Sequence, residues 1–301
     1  MKIVVTGSLG NISKPLTKEL VKKGHEVTVI STNKDKVKEI ESLGATAAIG
    51  SLNDAGFLTN TFKGADLVYT MNPPANFFDP GVDLLQHYIR IADSYVMAIQ
   101  QSGVKRVVNL SSIGAHLSEG TGVIVGSHMG EVILNKLTGV SITHMRPASF
   151  YYNLLGYAGT IKQTGMIMAN YGGDDMVIWV SPFDIATAIA EEIETAPEDR
   201  KIRYVASEER TANEVAGILG SAIGKPDLKW IVISDEQMQK ALEGIGMPPK
   251  SAAGLSAINS SIHSGKLFED YLKNRPAVLG KVKLKDFAKD FAAAFDKEFV
   301  H

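Results

Sequence analysis

Short apolar, β-branched runs alternate through the first half of the chain with stretches whose apolar positions recur every three or four residues. Ile3-Val4-Val5 is the first run, apolar throughout as a strand buried on both faces requires. The next stretch sets Leu16, Leu20 and Val21 on one helical face and stops at Gly24, the residue best suited to a helix end. Glu26–Ile30 predicts a second strand, followed by a helix with Val37, Ile40 and Leu43 that ends at Gly44. Thr46–Ile49 predicts a third strand, and Ala55–Phe62 a short helix offering Phe57, Leu58 and Phe62 to the core. Asp66–Thr70 is the fourth, followed by a long helix carrying Val82, Leu85, Ile89, Ala92, Val96 and Ile99. Arg106–Leu110 and Ser141–Met145 supply the fifth and sixth strands, with a helix around Glu131–Leu137 between them. This alternation with short connections predicts an α/β fold, a Rossmann-type doubly wound parallel sheet ordered 3-2-1-4-5-6. Its ligand should sit at the switch point between strands 1 and 4.

The pattern changes after Asn153, which divides the chain into a dinucleotide-binding region, 1–155, and a smaller, mainly helical C-terminal lobe within 156–301. Gly156–Asp175 is rich in glycine and polar residues and reads as loop. Val177–Val180 and Ile202–Val205 read as strands that rejoin the sheet, flanking a helix whose N-cap would be Asp184. Thr211–Ile223, Asp235–Leu242 and Leu284–Phe299 are helical, the last with Phe287, Phe291, Phe295 and Phe299 facing the core. Met247–Ser264, with Pro248-Pro249 and many small residues, reads as a mobile loop or lid.

Composition narrows the function classes. An apolar fraction of 45% and a charged fraction of 21% over 301 residues are those of an ordinary globular protein. A net charge of −2 gives no electrostatic case for nucleic acid or an anionic membrane surface. The absence of cysteine removes disulfides, thiolate catalysis and thiolate metal sites, and fits a reducing compartment. Met1-Lys2 leads straight into a strand, leaving no room for a signal peptide, and no apolar run approaches the ~20 residues that span a bilayer. The expectation is a soluble, cytoplasmic protein. Its seven histidines include no H-x-x-x-H pair, so no metal site is expected.

The turn after the first strand carries the chemistry. Thr6-Gly7-Ser8-Leu9-Gly10-Asn11-Ile12 stands between a buried strand and a helix, the setting in which glycines let backbone approach a pyrophosphate at a helix N-terminus. Ser13 replaces the third glycine of the usual fingerprint and is small enough to keep helix and strand close. After the second strand, where an NAD site places a carboxylate for the ribose 2′-OH, the chain has Ser31-Thr32-Asn33-Lys34. Hydroxyls, an amide and a cation suit a 2′-phosphate, so NADP(H) is preferred over NAD(H). The alternative is that Lys34 and Lys36 are a solvated helix start.

Together TGSLGNIS, Arg146-Pro147 with Phe150 and Asn153, TANEVAGILGSAIGKP and RPAVLGKVKLKDFAKDF make the chain resemble the NmrA-like group of atypical short-chain dehydrogenases. The resemblance implies a Rossmann fold binding NADP(H), and either quinone-type reduction or redox sensing without turnover. It sets Ser51 where relatives carry an adenine-contacting Asp, beside Leu52; Ser51 could equally cap the following helix. It lines the nicotinamide half with the backbone of Met71-Asn72-Pro73. Asn109 and Ser111 close the fifth strand where short-chain dehydrogenases place their serine.

Those enzymes pair that serine with Tyr-x-x-x-Lys, and no tyrosine here is followed four residues later by lysine. His128 stands in the tyrosine's place and Val132 in the lysine's. His128 is the candidate proton donor or quinone-oxygen ligand, with Glu131 one turn on to orient it. The competing reading is a polar helix start capped by Ser127. Phe150, Tyr151, Tyr152 and Asn153 follow the sixth strand and should lie over the nicotinamide, where aromatic faces could stack on a flat acceptor. The leading expectation is an NADPH-dependent oxidoreductase acting on a small molecule such as a quinone. A nucleotide sensor with a protein partner is the alternative, and a sugar-nucleotide epimerase is disfavoured by the missing tyrosine and lysine.

Overall fold

The computed structural model describes residues 1–297. Through residue 150 the elements run β1 (Lys2–Val5), α1 (Ser13–Lys22), β2 (Glu26–Ser31), α2 (Val37–Ser42), β3 (Thr46–Ile49), α3 (Ala55–Phe62), β4 (Leu67–Met71), α4 (Leu84–Ser102), β5 (Arg106–Leu110), α5 (Val125–Leu134), β6 (Ser141–Pro147) and β7 (Ser149–Phe150). The remainder is α6 (Ala158–Thr164), β8 (Met166–Ala169), β9 (Met176–Val180), α7 (Pro182–Glu194), β10 (Arg200–Val205), β11 (Glu208–Thr211), α8 (Ala212–Ala222), β12 (Lys229–Val232), α9 (Asp235–Gly244), α10 (Pro249–His263), α11 (Glu269–Lys273) and α12 (Leu284–Asp296).

The main sheet has seven parallel strands ordered β10-β6-β5-β4-β1-β2-β3. The expected order 3-2-1-4-5-6 is present, with β10 added beside β6. Both faces are covered, which is why the central strands carry apolar residues at successive positions, as in Ile3-Val4-Val5 and Leu67-Val68-Tyr69. Ile3, Val5, Val27, Val29, Leu67, Tyr69 and Val108 join one core layer, while Val4, Ile30, Val68 and Val107 join the other. A single step along a strand changes the face. The first layer continues without a break into the C-terminal lobe as far as Phe291 and Phe295.

Six expectations about local structure are corrected. Of the two later strands, only β10 enters the main sheet; it occupies the free edge of β6, so β9 pairs with β7 and β11 in a separate sheet. Gly156–Asp175 is not loop: it contains α6 and β8, which pairs with β12. Met247–Ser264 is largely the helix α10, because Pro248 is its N-cap and Pro249 its first residue, where a fixed φ and a missing N–H cost nothing. In α7 the cap is Ser181, whose hydroxyl accepts from the Phe183 N–H. Asp184 lies inside the first turn and accepts from Ser207 Oγ and the Lys281 and Val282 N–H groups. Helix α5 begins at Val125, so Ser127 is not a cap. In α4 the buried stripe is Ile91, Ala92, Tyr95, Ala98 and Ile99; Val82 precedes the helix, and Leu85 is exposed. Phe299 lies outside the described residues.

Candidate functional site

The main-chain crossing between β1 and β4 is held by side chains from beneath. Thr6 Oγ1 accepts from the Met71 N–H at 3.0 Å, and Tyr95 OH donates to the Met71 carbonyl at 2.7 Å. The last residue of β4 is thus fixed from two sides, and with it the Asn72–Pro74 loop. Gly7 has φ of +85°, and a Cβ there would lie 2.7 Å from Ser13 Oγ and 3.0 Å from Met71. Ser13 Oγ donates to the Thr6 carbonyl at 2.9 Å, so serine at the third position ties α1 to the strand end as expected. Ser8 adopts φ of +55°, unusual for a residue with a side chain; its N–H donates to the Ile30 carbonyl and its hydroxyl to Ser31 Oγ.

These residues wall a cavity of about 420 Å³ at the carboxyl end of the sheet, as the switch-point rule requires. Of the expected residues, Gly7, Gly10, Asn11, Ile12, Ser31, Ser51, Leu52, Met71 and Pro73 line it. Helix α1 starts at the cavity with neither a side-chain cap nor an acidic residue in its first turn, so its positive dipole end faces the cavity; the Lys14 N–H is taken by the Gly10 carbonyl and Pro15 has none. Gly50 also lines the wall, where a Cβ would meet the Phe57 ring at 2.6 Å. Thr6 lies beneath the cavity, and Leu9 packs against the core. Asn33 and Lys34 are exposed beyond the rim, Asn33 capping a short 3-10 turn. Close by, Glu39 binds Lys14 at 2.6 Å and Lys36 at 2.9 Å, and these lysines hold its carboxyl down to about 2.

A second cavity, of about 610 Å³, adjoins the first and shares Ile12, Met71, Pro74 and Tyr152 with it. Asn72, Ser111, Phe150, Tyr152 and Asn153 line it. The Phe150 and Tyr152 rings lie 5.0 Å apart, and burial pushes the Tyr152 phenol up to about 12. Helix α10 roofs the cavity with Leu255, Ile258, Asn259 and Ile262. Its seat depends on Gly122, whose φ is +53° and where a Cβ would overlap the Gly254 carbonyl.

Besides Thr6, Leu9, Asn33 and Lys34, three more expected residues, Tyr151, Asn109 and His128, are in neither lining. Tyr151 is core, stacked between Trp179 and Phe287 with its hydroxyl bonded to Glu208 and the Val282 carbonyl. Phe150 ends a short strand and Tyr151 opens a 3-10 turn, Tyr151–Tyr157, which sends Tyr151 into the core while Phe150 and Tyr152 line the cavity. Asn109 is buried in a polar chain: its Oδ1 accepts from Thr70, and its Nδ2 donates to His144 Nδ1, whose Nε2 faces Asn135 Oδ1 at 3.1 Å. His128 Nδ1 lies 2.9 Å from the Ala115 carbonyl and donates to it.

Glu131 does not orient His128. It accepts from Ser111 Oγ at 2.5 Å and takes Arg146 through both oxygens, at 2.9 Å from Nε and 2.6 Å from Nη2. Arg146 also reaches Tyr204 OH at 3.0 Å and Asp270 at 3.1 Å. Burial works against its charge, but the Glu131 bonds outweigh that and hold it protonated beyond the ordinary arginine range. This buried pair was not foreseen, although Arg146 was visible in the R-P motif. Likewise the α10 lining had a signal, apolar residues at 252, 255, 258 and 262, which the proline pair obscured.

A family profile described as NAD(P)H-binding matches residues 7–153. Over 298 residues the chain is 27% identical to an NAD(P)H azoreductase of Xenophilus azovorans, covering 97% of this chain and 99% of that one. An NADPH-dependent quinone oxidoreductase of Escherichia coli, solved with NADPH, superposes with a TM-score of 0.80 at 20% identity, covering 96% and 99% of the two chains. A triphenylmethane reductase of Citrobacter sp. gives 0.79 at 22% identity, covering 97% and 100%. Among the described residues no helix is long and apolar enough to cross a membrane. With a glycine turn, a helix start and a cavity at the switch point, residues 7–153 are an NAD(P)H-binding domain, and along nearly its whole length the chain is similar to NAD(P)H-dependent oxidoreductases, consistent with the NmrA-like group its motifs resemble.

Proposed function

We propose that this protein is an NADPH-dependent reductase of a quinone or similar planar, conjugated acceptor. The observation that carries the reading is a pair of adjoining cavities at one sheet edge. The first is walled by glycines and small polar groups, the second by aromatic rings, and Met71 and Tyr152 stand at the junction. Similarity to proteins named for azo, quinone and triphenylmethane reduction supports a flat, conjugated acceptor.

The cofactor, when bound, supplies the hydride. Gly7, Leu9, Gly10, Asn11 and Ile12 present backbone to its pyrophosphate at the α1 start, while Thr6 fixes the turn from below. Ser31, Asn33 and Lys34 face the 2′-phosphate, and Ser51 and Leu52 the adenine. Met71, Asn72 and Pro73 border the nicotinamide half, Asn109 supports that wall from β5, and Ser111 follows directly after the strand. Phe150, Tyr152 and Asn153 hold the acceptor and, with the α10 roof, exclude water. Tyr151 stiffens this segment from the core, and His128 holds the stretch after β5 through Ala115. Residues 156–301, apart from β10, serve as the substrate lobe.

A regulator that binds NADP(H) without turnover is the second reading, favoured by the missing Tyr-x-x-x-Lys. Fluorescence titration with NADPH and NADH, followed by NADPH oxidation against a quinone panel, separates the two. Tighter NADPH binding with turnover is expected. Tight binding with no turnover on any acceptor selects the regulator, and tighter NADH than NADPH removes the cofactor preference.

A further inference from the structure

The hydroxyl of Ser111 points away from the chemistry ordinarily asked of a serine at this place. It lines the second cavity, yet its proton is directed down onto Glu131 Oε1 at 2.5 Å. Glu131 is only 6% exposed and accepts two donors from Arg146, itself 4% exposed, so this carboxylate is a buried acceptor with its counter-charge in place. A carboxylate can only accept, and a hydroxyl has one proton to give. Among the described residues no group donates to Ser111 Oγ, so its lone pairs remain for whatever occupies the cavity.

We propose that Ser111 is a hydrogen-bond acceptor toward the acceptor molecule, with Glu131 and Arg146 as positioning residues that fix this polarity. The cavity therefore selects flat, conjugated ligands that carry an N–H or O–H donor beside the reacting carbonyl. This rests on the reading that the second cavity holds such an acceptor. The elements that supply the three residues explain why the arrangement is rigid. Ser111 is anchored after β5 by its N–H on the Met145 carbonyl at 2.8 Å. Glu131 comes from the middle of α5, and Arg146 from β6 between β5 and β10. Arg146 is braced on its far side by Tyr204 and Asp270, which keeps the guanidinium from following a ligand.

The test uses 2-amino- and 2-methyl-1,4-naphthoquinone, which are close in shape and differ by an N–H donor. Affinity for each is measured on the NADPH-free and NADP⁺-loaded protein by fluorescence quenching, so the result does not depend on turnover. The wild type should bind the amino compound about tenfold more tightly, the worth of one hydrogen bond in a dry site. Ser111→Ala should erase that preference by weakening the amino compound alone, and Ser111→Thr, which keeps a hydroxyl, should restore most of it. If Ser111→Ala instead weakens the methyl compound as much or more, Ser111 is a donor to the quinone oxygen and the proposal fails. It fails equally if Ser111→Ala changes only NADP⁺ affinity, since the hydroxyl then faces the cofactor. A wild type that turns over no acceptor, yet shows the amino preference and loses it in Ser111→Ala, would overturn the reductase reading and leave this inference standing.

Discussion

Replacing Gly7 by alanine tests the physical basis of the whole cofactor turn. At φ of +85° an L-residue costs about 1–2 kcal/mol relative to glycine. The added Cβ would also lie 2.7 Å from Ser13 Oγ and 3.0 Å from Met71 Cγ and Sδ, and crowding of that kind in a packed site costs about 1–3 kcal/mol. Gly7→Ala should therefore destabilise the protein by roughly 2–5 kcal/mol. The nearest offending atom belongs to Ser13, so deleting it should return part of the loss. Ser13→Ala alone loses the bond to the Thr6 carbonyl, worth about 1 kcal/mol. In Gly7→Ala/Ser13→Ala the methyl gains room, and the two changes should couple favourably by about 1 kcal/mol, while the backbone strain and the Met71 contact stay. Urea denaturation of the wild type, both single variants and the double variant measures the coupling directly. A Gly7→Ala protein within about 0.5 kcal/mol of wild type, or strictly additive variants, would refute the argument that sterics fix this glycine.

Further expectations follow from the same geometry. Gly10→Ala, whose φ is ordinary and whose Cβ would meet only the Gly7 carbonyl at 3.2 Å, should leave stability nearly unchanged while weakening NADPH affinity at least tenfold; unchanged affinity in a titration would place the pyrophosphate elsewhere. Arg146→Met leaves Glu131 buried without its counter-charge and should cost about 3–5 kcal/mol in denaturant unfolding, a loss that a merely apolar role for Arg146 would not produce. His144 is kept neutral by burial, its folded pKa lowered to about 4 against an ordinary 6.5, and its two ring bonds, to Asn109 and Asn135, suit the neutral ring. The unfolded chain then binds the extra proton first, so stability is full above pH 6.5 and falls as pH drops toward 4, by about 3 kcal/mol in all from this group. His144→Gln should flatten the fall in that window, and an unchanged slope would remove His144 as its source. Gly122→Ala should unseat α10 and weaken naphthoquinone binding severalfold without altering NADPH affinity, since its Cβ would overlap the Gly254 carbonyl under the second cavity's roof.

The parts of this site that were legible in the sequence are those set by local chemistry. The Gly7–Ser13 turn follows from a buried strand, residues that tolerate a left-handed backbone and a helix start, all adjacent in the chain. The strand order followed from the alternation itself, because right-handed crossovers leave few ways to lay parallel strands. Where two local signals conflicted, the reading failed. Pro248-Pro249 argued for a loop, while the apolar spacing through Ile262 argued for a helix, and proline at the first helical position satisfies both. The edge position of β10 was half legible: 177–180 and 202–205 both read as strands for the main sheet, but only β10 pairs with β6, while β9 pairs with β7 and β11.

The Glu131–Arg146 pair belongs to another kind of problem. Glu131 sits one turn after His128 on a helix, and local spacing therefore assigns it to His128. What redirects it is a charge fifteen residues away on β6, placed under Ser111 only once β5 and β6 pair through Leu110 and Met145. A buried carboxylate left without a partner is costly enough that its location is decided by the nearest buried cation rather than by its neighbours along the helix. The same physics then reaches the cavity. Arg146 holds Glu131 in place through both oxygens, Ser111 Oγ donates to one of them, and on the proposal above the polarity of a hydroxyl at the cavity wall is thereby set by two residues in neither cavity lining.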